Sequence, residues 1–349
     1  MSQANTPPPF SLSAPSRLAA FVSEQAGGAD APLEALTPDA STREYFRIPW
    51  TGALAVAAVY PEPCRAATQP FLDVTGLFVE AGLPVPEIYA VDERRGLIIQ
   101  EDCGDCQLYN FYQNASRKEA EARRDEAIKL IARIQGATTL AFERASIASR
   151  LAFDEEKLGW ELGFFQEHFF GTLRGEKMPK REARQLETEL NEVARELAAR
   201  PRVLCHRDFH AGNLLVDQAG RLRVIDYQDA RMGPASYDLV SLLLDRVTAP
   251  PSLAEIRLGR LRFLEARQEL GLPPLEAEDF TAEFRLMTVQ RVLKAIGTFS
   301  FQTGARGRGA LYARYIPPML LVAAQAAGLL GRFPTLQTAL KTRAARSYE

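Results

Sequence analysis

The stretch VLCHRDFHAGNLLVDQAGRLRVIDYQDARMGPASYDLVSLL, residues 203 to 243, decides the fold. It sets three polar residues, Asp208, Asn213 and Asp226, into or beside short apolar runs. A carboxylate in such surroundings is costly unless a cation or a proton compensates its charge. This placement indicates phosphoryl transfer, in which carboxylates hold a metal ion against anionic phosphates.

The spacing within the stretch matches a known catalytic pattern. The tripeptide H-R-D at 206–208 is followed after four residues by Asn213, as in the catalytic loop H-R-D-x-x-x-x-N of the protein kinases. Two apolar runs follow as predicted strands, and Asp226 comes directly after the second. Two carboxylates and an amide suit a hard cation such as Mg²⁺ beside the phosphates of ATP. We therefore predict a phosphotransferase site with ATP and Mg²⁺ as cofactors.

Composition narrows the class of protein and its partners. The chain of 349 residues is 46% hydrophobic and 25% charged, as is usual for a soluble globular protein, and its length favours two lobes. Its 42 basic and 44 acidic residues give no basic excess, so we expect no nucleic-acid partner. Because we find neither a signal peptide nor about 18 consecutive apolar residues, we expect no membrane partner. We predict a cytoplasmic monomer with reduced thiols.

The order of strand and helix patterns predicts an α+β fold. We expect a disordered leader at 1–15, then an N-lobe at 16–102 with strands near 44–48, 53–60, 88–91 and 97–100 and a helix at 69–80. Residues 103–349 read as mostly helical and form the predicted C-lobe, which carries the catalytic loop, the metal site and the acceptor site. Taken together with the H-R-D-x-x-x-x-N motif, this order resembles the bilobal protein-kinase-like fold. It has a small antiparallel-sheet N-lobe that binds nucleotide and a large, mainly helical C-lobe.

Further motifs carry a resemblance to a family. HRDFHAGNLLV together with VIDYQDARMGPASYDLVSLL resembles the aminoglycoside phosphotransferase and choline kinase superfamily, whose members phosphorylate small molecules. DASTREYFRI at 39–48, IIQEDCGD at 98–105 and QRVLKAIGTFS at 290–300 resemble bacterial kinases that act on the anomeric hydroxyl of N-acetylmuramate and N-acetylglucosamine in cell-wall recycling. This resemblance implies an amino-sugar 1-kinase.

The resemblance also implies roles for single residues. Asp208 would be the catalytic base, and Asn213 and Asp226 would be the metal ligands. Asp238 matches an acidic residue that ties a helix of the large lobe to the catalytic loop, although a helix-start aspartate is an equal alternative. His206 would brace the loop.

The nucleotide side departs from the kinase pattern in two respects. Residues 39–46 lie where a glycine-rich loop would cover the phosphates, but they contain no G-x-G-x-x-G, and no lysine occurs before Lys118. An arginine can replace the missing phosphate-binding lysine, because it binds phosphate bidentately. The C-x-x-C at 103–106 is weak support for a zinc or redox site. The predicted nucleotide contacts are Ser41, Thr42, Arg43, Arg47 and the hinge residues Gln100, Glu101 and Asp102.

The acceptor side is the least determined by the sequence. We predict that Asp229 and Arg231, which follow the metal-binding Asp226, bind the amino-sugar substrate together with Asp208, and that Glu161 and His168 contribute from the segment 156–170. Acidic residues here would equally suit a cationic aminoglycoside. The alternatives are a kinase of another small hydroxyl acceptor, such as an aminoglycoside, an amino alcohol or a different sugar, and a nucleotide-binding pseudokinase.

Overall fold

The N-lobe is built on an antiparallel sheet. The computed structural model describes residues 12–25, 32–36 and 43–345. The five strands of the sheet are β1 (Glu34–Leu36), β2 (Glu44–Trp50), β3 (Ala53–Val59), β4 (Ile88–Asp92) and β5 (Leu97–Glu101). Their spatial order is β1-β2-β3-β5-β4, with every neighbouring pair antiparallel. The hairpin from β2 to β3 turns through Thr51 and Gly52, both at positive φ, which matches the right-handed twist of the strands.

Helices cover both faces of this sheet because its strands alternate apolar residues between them. Helix α1 (Ala14–Gln25) packs on one face, where Leu18 and Phe21 join Ile48, Ala57 and Ile99 in a small core. On the other face, Ala58 and Ile98 belong to the main core, together with residues of helix α2 (Pro70–Glu80). Helix α1 begins at Ala14, inside the predicted leader 1–15, and residues 1–11 of that leader lie outside the described residues.

The rest of the described chain is mainly helical. The first helices after the sheet are α3 (Leu108–Asn114), α4 (Arg117–Gly136), α5 (Thr138–Glu143), α6 (Ile147–Arg150) and α7 (Glu155–Phe165), which continues as a π-helix over Gln166–Leu173. The later helices are α8 (Lys180–Ala198), α9 (Tyr237–Leu244), α10 (Leu253–Glu269), α11 (Ala277–Gly304), α12 (Gly309–Tyr312), α13 (Ile316–Leu330) and α14 (Pro334–Ala345). Short 3₁₀ turns lie at Ala66–Thr68 and Ala313–Tyr315. The predicted α+β fold with a sheet-based first lobe is confirmed.

Two small antiparallel ladders interrupt the helices and position the catalytic stretch. The strands are β6 (Arg202–Cys205), β7 (Leu214–Val216), β8 (Leu222–Val224) and β9 (Arg231–Pro234). β6 pairs with β9, and β7 pairs with β8 with Leu214 opposite Val224. The loop from β6 to β7 carries Asp208 and Asn213, and Asp226 follows two residues after β8 ends. The ladder β7–β8 therefore brings Asp226 back beside the catalytic loop.

Helix α11 runs through the C-lobe with most of its surface buried. A Cβ atom at Gly297 would lie 2.7 Å from Cα and 2.9 Å from N of Phe165, so glycine is what lets α11 approach the end of α7 this closely. Helices with buried residues all around are held by tertiary packing. The residues that α11 presents to its neighbours are thereby fixed in position.

One apolar segment differs from the expectation that no stretch could cross a bilayer. Among the described residues, Gly309–Leu330 is long and apolar enough to do so by length and composition. In its most apolar window, 56% of the residues are buried inside the protein. Core helices of water-soluble proteins meet the same criterion.

Candidate active site

The catalytic loop is fixed by a buried carboxylate from the C-lobe. Arg207 has φ of 87°, a left-handed conformation that costs a non-glycine residue about 1–3 kcal/mol. The Asp238 carboxylate, at the start of α9, accepts hydrogen bonds from the backbone N–H groups of His206 (2.7 Å) and Arg207 (3.0 Å). Of the two roles considered for Asp238, the structure thus shows the tie between helix and loop. Burial raises the pKa of Asp238 to about 7 against the effect of these two bonds.

His206 joins the loop to the segment that carries Asp226. Its side chain is fully buried, and burial lowers its pKa to about 4, so the ring is neutral near pH 7. The ring atom Nε2 lies 3.0 Å from the carbonyl oxygen of Ile225 and donates to it. His206 therefore braces the loop, as its position in the pattern predicts.

Asp208 lies among three cations. Its carboxylate oxygens are 3.2 Å from Nη2 of Arg291, 3.7 Å from Nζ of Lys294 and 3.7 Å from Nε of Arg207. Burial alone would raise the pKa of Asp208, but these positive charges outweigh it and hold the pKa well below its usual range. Asp208 is therefore a carboxylate at any physiological pH.

Asn213 and Asp226 form a pair of oxygen donors next to this carboxylate. Nδ2 of Asn213 donates to the carbonyl oxygen of Asp208 (2.9 Å) and to Oδ2 of Asp226 (3.2 Å), which leaves the amide oxygen for another partner. Burial raises the pKa of Asp226, and the nearby negative charges of Asp208 and Asp229 add to this rise. A cation would relieve this accumulation of charge.

The donor set fits Mg²⁺. Within the described part of the chain, no group of three or more His, Cys, Asp or Glu residues could hold a metal ion, so a cage built from protein ligands alone is absent there. Mg²⁺ in kinases is bound by one or two protein oxygens together with phosphates and water. Asn213 and Asp226 could supply those two oxygens.

A cavity of about 710 Å³ opens between the sheet and the C-lobe. The sheet contributes Arg43, Tyr45, Arg47, Val56, Ala58 and Tyr60. The segment after β5 contributes Gln100, Glu101, Asp102, Cys103, Gly104 and Asp105. The C-lobe contributes Asp208, Asn213, Leu215, Ile225 and Asp226, and farther along Asp245, Arg246, Arg291, Lys294, Thr298, Gln302 and Tyr312. The predicted catalytic, metal and described nucleotide residues thus share one cavity.

The two arginines predicted to replace the strand lysine differ in their surroundings. Nε of Arg47 lies 2.6 Å from Oδ2 of Asp102, and its Nη2 lies 2.7 Å from Oδ1 of Asp105, so this arginine ties β2 to the hinge. The guanidinium of Arg43 lies over the rings of Tyr45 (5.7 Å) and Tyr60 (5.6 Å), inside the cavity. Ser41 and Thr42, the other predicted contacts on this side, lie outside the described residues.

The hinge also joins the two lobes. The Glu101 carboxylate pairs with the Arg223 guanidinium of β8, with Nη1 to Oε1 at 2.5 Å. Hydrogen bonds from Arg223 lower the pKa of Glu101 below its ordinary value, although burial opposes them. Gln100 precedes this pair and lines the cavity.

All four cysteines are free thiols. Cys103 is buried and Cys106 is exposed, and burial raises the pKa of Cys103 to about 12. Reactive and metal-binding cysteines require the thiolate. The raised pKa disfavours redox reactivity at Cys103, and within the described residues the C-x-x-C belongs to no group of three or more His, Cys, Asp or Glu that could hold a metal ion.

Apart from Asp208, the predicted acceptor residues are not among the described residues that line the cavity. Asp229 pairs with Nη1 of Arg207 at 2.7 Å and with Nη2 of Arg231 at 3.6 Å, next to the catalytic loop. Glu161 is buried and accepts a hydrogen bond from Gln290. His168 lies in the π-helix, with Nδ1 2.8 Å from the hydroxyl of Thr172. Binding of the acceptor by Asp229, Arg231, Glu161 and His168 stays a prediction.

Instead, one face of α11 forms the end of the cavity beyond Asp208. Arg291, Lys294, Thr298 and Gln302 follow one another at helical spacing along this face. This helix carries the family motif at 290–300, but no predicted site residue lies on it. The available signal is the pair of cations within the mainly apolar run 286–297, whose other polar residues are uncharged, because a buried cation needs a partner.

Known proteins resemble this chain in sequence. The model of the family described as phosphotransferase enzyme family matches residues 32–272. A Neisseria meningitidis serogroup B protein named N-acetylmuramate/N-acetylglucosamine kinase is 31% identical over 264 residues, which cover 75% of this chain and 76% of that protein. A Pseudomonas aeruginosa protein of the same name is 31% identical over 290 residues, which cover 80% of each.

A solved structure shows the same fold. The choline kinase LicA from Streptococcus pneumoniae superposes with a TM-score of 0.55 at 12% identity, over 90% of this chain and 99% of that one. At this identity the likeness concerns the fold alone. The resemblance indicated by the motifs around Asp208 and Asp226 is confirmed by the family match over most of the chain. The chain belongs to the phosphotransferase enzyme family.

Proposed function

We propose that this kinase uses ATP and Mg²⁺ to phosphorylate the anomeric C1 hydroxyl of N-acetylmuramate, N-acetylglucosamine or both, giving the α-linked sugar 1-phosphate. The observation that carries the proposal is the convergence of Asp208, Asn213 and Asp226 in one cavity between the lobes. The narrower choice of acceptor is supported by relatives that bear this name at 31% identity.

In this mechanism, Asp208 acts as an oriented hydrogen-bond acceptor. Because its pKa lies far below its usual range, it receives the hydrogen bond of the C1 hydroxyl. It takes the proton only as the new O–P bond forms and the bond from the γ-phosphorus to the departing ADP breaks. Asn213 and Asp226 would hold Mg²⁺, which neutralises charge on the phosphates when bound. Positioning and electrostatic stabilisation supply most of the acceleration.

The nucleotide would lie under the sheet. Val56 and Ala58 of β3 and Leu215 and Ile225 of the C-lobe supply apolar walls for adenine, and the backbone of Gln100–Asp102 would pair with its edge. Arg43 lies in the cavity. Although burial opposes the change, Tyr45, Tyr60 and the charge of Asp226 together raise the pKa of Arg43. We therefore assign to Arg43 the phosphate contact of the missing lysine.

The charges around Asp208 favour a neutral or anionic acceptor. Two carboxylates, Asp208 and Asp245, line this end of the cavity, and each lies 3.2 Å from Nη2 of Arg291. Lys294 and Arg246 add two further cations to the same wall. A polycationic aminoglycoside would meet carboxylates that are already paired and cations that repel it.

The test is ³¹P NMR of reactions with ATP and Mg²⁺ across N-acetylmuramate, N-acetylglucosamine, an aminoglycoside and choline. A product phosphate coupled to the anomeric proton of either amino sugar is the expected result. Phosphate on another acceptor or another carbon would establish the wider small-molecule kinase instead. Nucleotide binding without turnover of any acceptor would establish a pseudokinase.

The setting of the reaction is also proposed. We infer that the protein acts as a monomer in the cytoplasm, on amino sugars released during peptidoglycan recycling, without a nucleic-acid or membrane partner. Sedimentation of the purified protein tests whether it is a monomer. Accumulation of unphosphorylated amino sugar in a deletion strain tests the role in peptidoglycan recycling.

A further inference from the structure

The cavity continues past Asp208 along helix α11. Arg291, Lys294, Thr298 and Gln302 line it over 11 residues of helix, or about 16 Å. The far wall carries Tyr312, whose ring stacks on Phe299 with centroids 5.5 Å apart. This arrangement provides an aromatic surface and a row of polar side chains on the side away from the nucleotide hinge.

The two cations of this row differ in how their donors are used. Nη2 of Arg291 contacts Asp208 and Asp245 at 3.2 Å each and the Ser241 hydroxyl at 3.0 Å. The ammonium of Lys294 lies 3.7 Å from Asp208 and, within the described part of the chain, donates no hydrogen bond. Its side chain is only 19% exposed. Because Lys294 lines the cavity and its ammonium carries three N–H donors, these donors are available to a ligand.

Lys294 is not needed to balance the charge of the wall. Arg291 already bridges the carboxylates of Asp208 and Asp245, and Arg246 lies on the same wall. The two carboxylates thus face Arg291, Arg246 and Lys294, and Arg207 approaches Asp208 at 3.7 Å as well. Burial and the charge of Arg291 lower the pKa of Lys294, and an anion beside it would oppose both effects.

A second polar group in this region also has no partner. The buried amide oxygen Oε1 of Gln302 accepts no hydrogen bond, two turns along α11 from Lys294. A sugar hydroxyl or an acetamido N–H could donate to it. The row therefore presents a cation near the reacting hydroxyl and an acceptor farther away, as an acidic amino sugar requires.

We propose that Lys294 binds the carboxylate of an acidic acceptor, the lactyl group of N-acetylmuramate, and so sets the preference for this sugar over N-acetylglucosamine. The inference rests on the proposed function. The two sugars differ only by the lactyl ether on C3, and C3 is two ring atoms from C1. With C1 held at Asp208, a carboxylate carried on C3 is close enough to reach Lys294, whose ammonium lies 3.7 Å from Asp208.

The experiment compares kcat/KM for N-acetylmuramate, its lactyl carboxamide and N-acetylglucosamine. In the wild type, N-acetylmuramate is expected to exceed its neutral amide about tenfold or more, as for a hydrogen bond between charged groups. In Lys294→Met the advantage over both neutral sugars should disappear, and Lys294→Arg should retain part of it. Lys129→Met, on the surface beside Glu269, is the matched control and should keep the wild-type ratios.

Each other outcome has a defined meaning. An equal loss for all three sugars in Lys294→Met, or an unchanged ratio, overturns the inference and limits Lys294 to charge balance around Asp208. If Lys294→Met does not fold, the comparison of acid and amide on the wild type still decides. If the wild type phosphorylates none of the three, the proposed function fails, and calorimetric binding of acid and amide then tests Lys294 in the same way.

Discussion

At the scale of single residues, Asp208 carries the strongest prediction. Asp208→Asn keeps the size of the side chain but removes the charge that orients the hydroxyl and takes its proton. We expect kcat to fall by about 10² to 10⁴, the usual contribution of a general base, with little change in the affinity for ATP. Coupled ADP release and calorimetry measure the two quantities.

The control for this change is Asp279→Asn, which alters a surface carboxylate paired with Arg200. It should retain full turnover. Normal turnover by Asp208→Asn would contradict the assignment of the catalytic carboxylate.

Arg43 offers a second prediction at this scale. If its guanidinium replaces the strand lysine, Arg43→Met should raise the KM for ATP about tenfold or more, because a charge-assisted contact to phosphate is lost. Arg43→Lys should recover part of the affinity. Initial rates at varied ATP, with saturating amino sugar, measure the effect. An unchanged KM would leave the phosphates to Mg²⁺ and backbone groups.

The residues that the sequence reveals are those whose partners are close along the chain. Asp208, Asn213 and Asp226 can be predicted because a short hairpin fixes their distance. Lys294 cannot be placed in this way, because only the packing of α11 brings it to the catalytic loop. For the same reason, the sequence order that puts Asp229 three residues after Asp226 does not reveal that the Asp229 carboxylate pairs with Arg207.

At the scale of elements, the close approach of α11 and α7 can be measured. Gly297→Ala would place a Cβ against backbone atoms of Phe165, which cannot move aside as a side chain can. We expect a loss of about 1–3 kcal/mol in the free energy of unfolding, typical of overpacking. Urea denaturation followed by circular dichroism gives this value.

The matched control is Gly163→Ala in α7. A Cβ at Gly163 meets no atom within 4 Å, so helix propensity should make this variant as stable as the wild type or more so by up to about 1 kcal/mol. Equal effects of the two substitutions would show that α11 can shift away from α7.

The elements themselves could be predicted to different degrees. The strands at 44–48 and 97–100 and the helix at 69–80 emerge from local periodicity, and the observed bounds β2 (Glu44–Trp50), β5 (Leu97–Glu101) and α2 (Pro70–Glu80) differ by at most two residues at either end. The pairing of β6 with β9 cannot be predicted from local periodicity, because the whole catalytic stretch separates the two strands in the sequence. The π-helical turn after α7 likewise has no local pattern to predict it.

At the scale of the whole molecule, the ion pair of Glu101 and Arg223 links the sheet to the C-lobe. Since the pairing lowers the pKa of Glu101, its contribution to stability is complete above the ordinary pKa of 4.5 and is lost as the pH falls through the lowered value. Glu101→Gln should therefore be less stable than the wild type by about 1 kcal/mol at pH 7, with a smaller difference at pH 3. Denaturant titrations at both pH values test this.

The comparison of the two proteins at each pH cancels the titration of all other carboxylates. Glu87→Gln is the control, because Glu87 is exposed and its side chain forms no ion pair among the described residues, so the variant should follow the wild type at both pH values. A difference that grows toward low pH would contradict the pairing.

The tie between Asp238 and the catalytic loop has a consequence for regulation. Its carboxylate lies in the core of the C-lobe and accepts a hydrogen bond from the backbone N–H of the strained Arg207. Many protein kinases are switched on by ordering of a segment near the active site. Here, disordering the catalytic loop would also remove the hydrogen bonds that the buried Asp238 carboxylate accepts. A switch that works by ordering and disordering this loop would therefore be energetically costly. Control of flux would then fall to the supply of sugar and nucleotide.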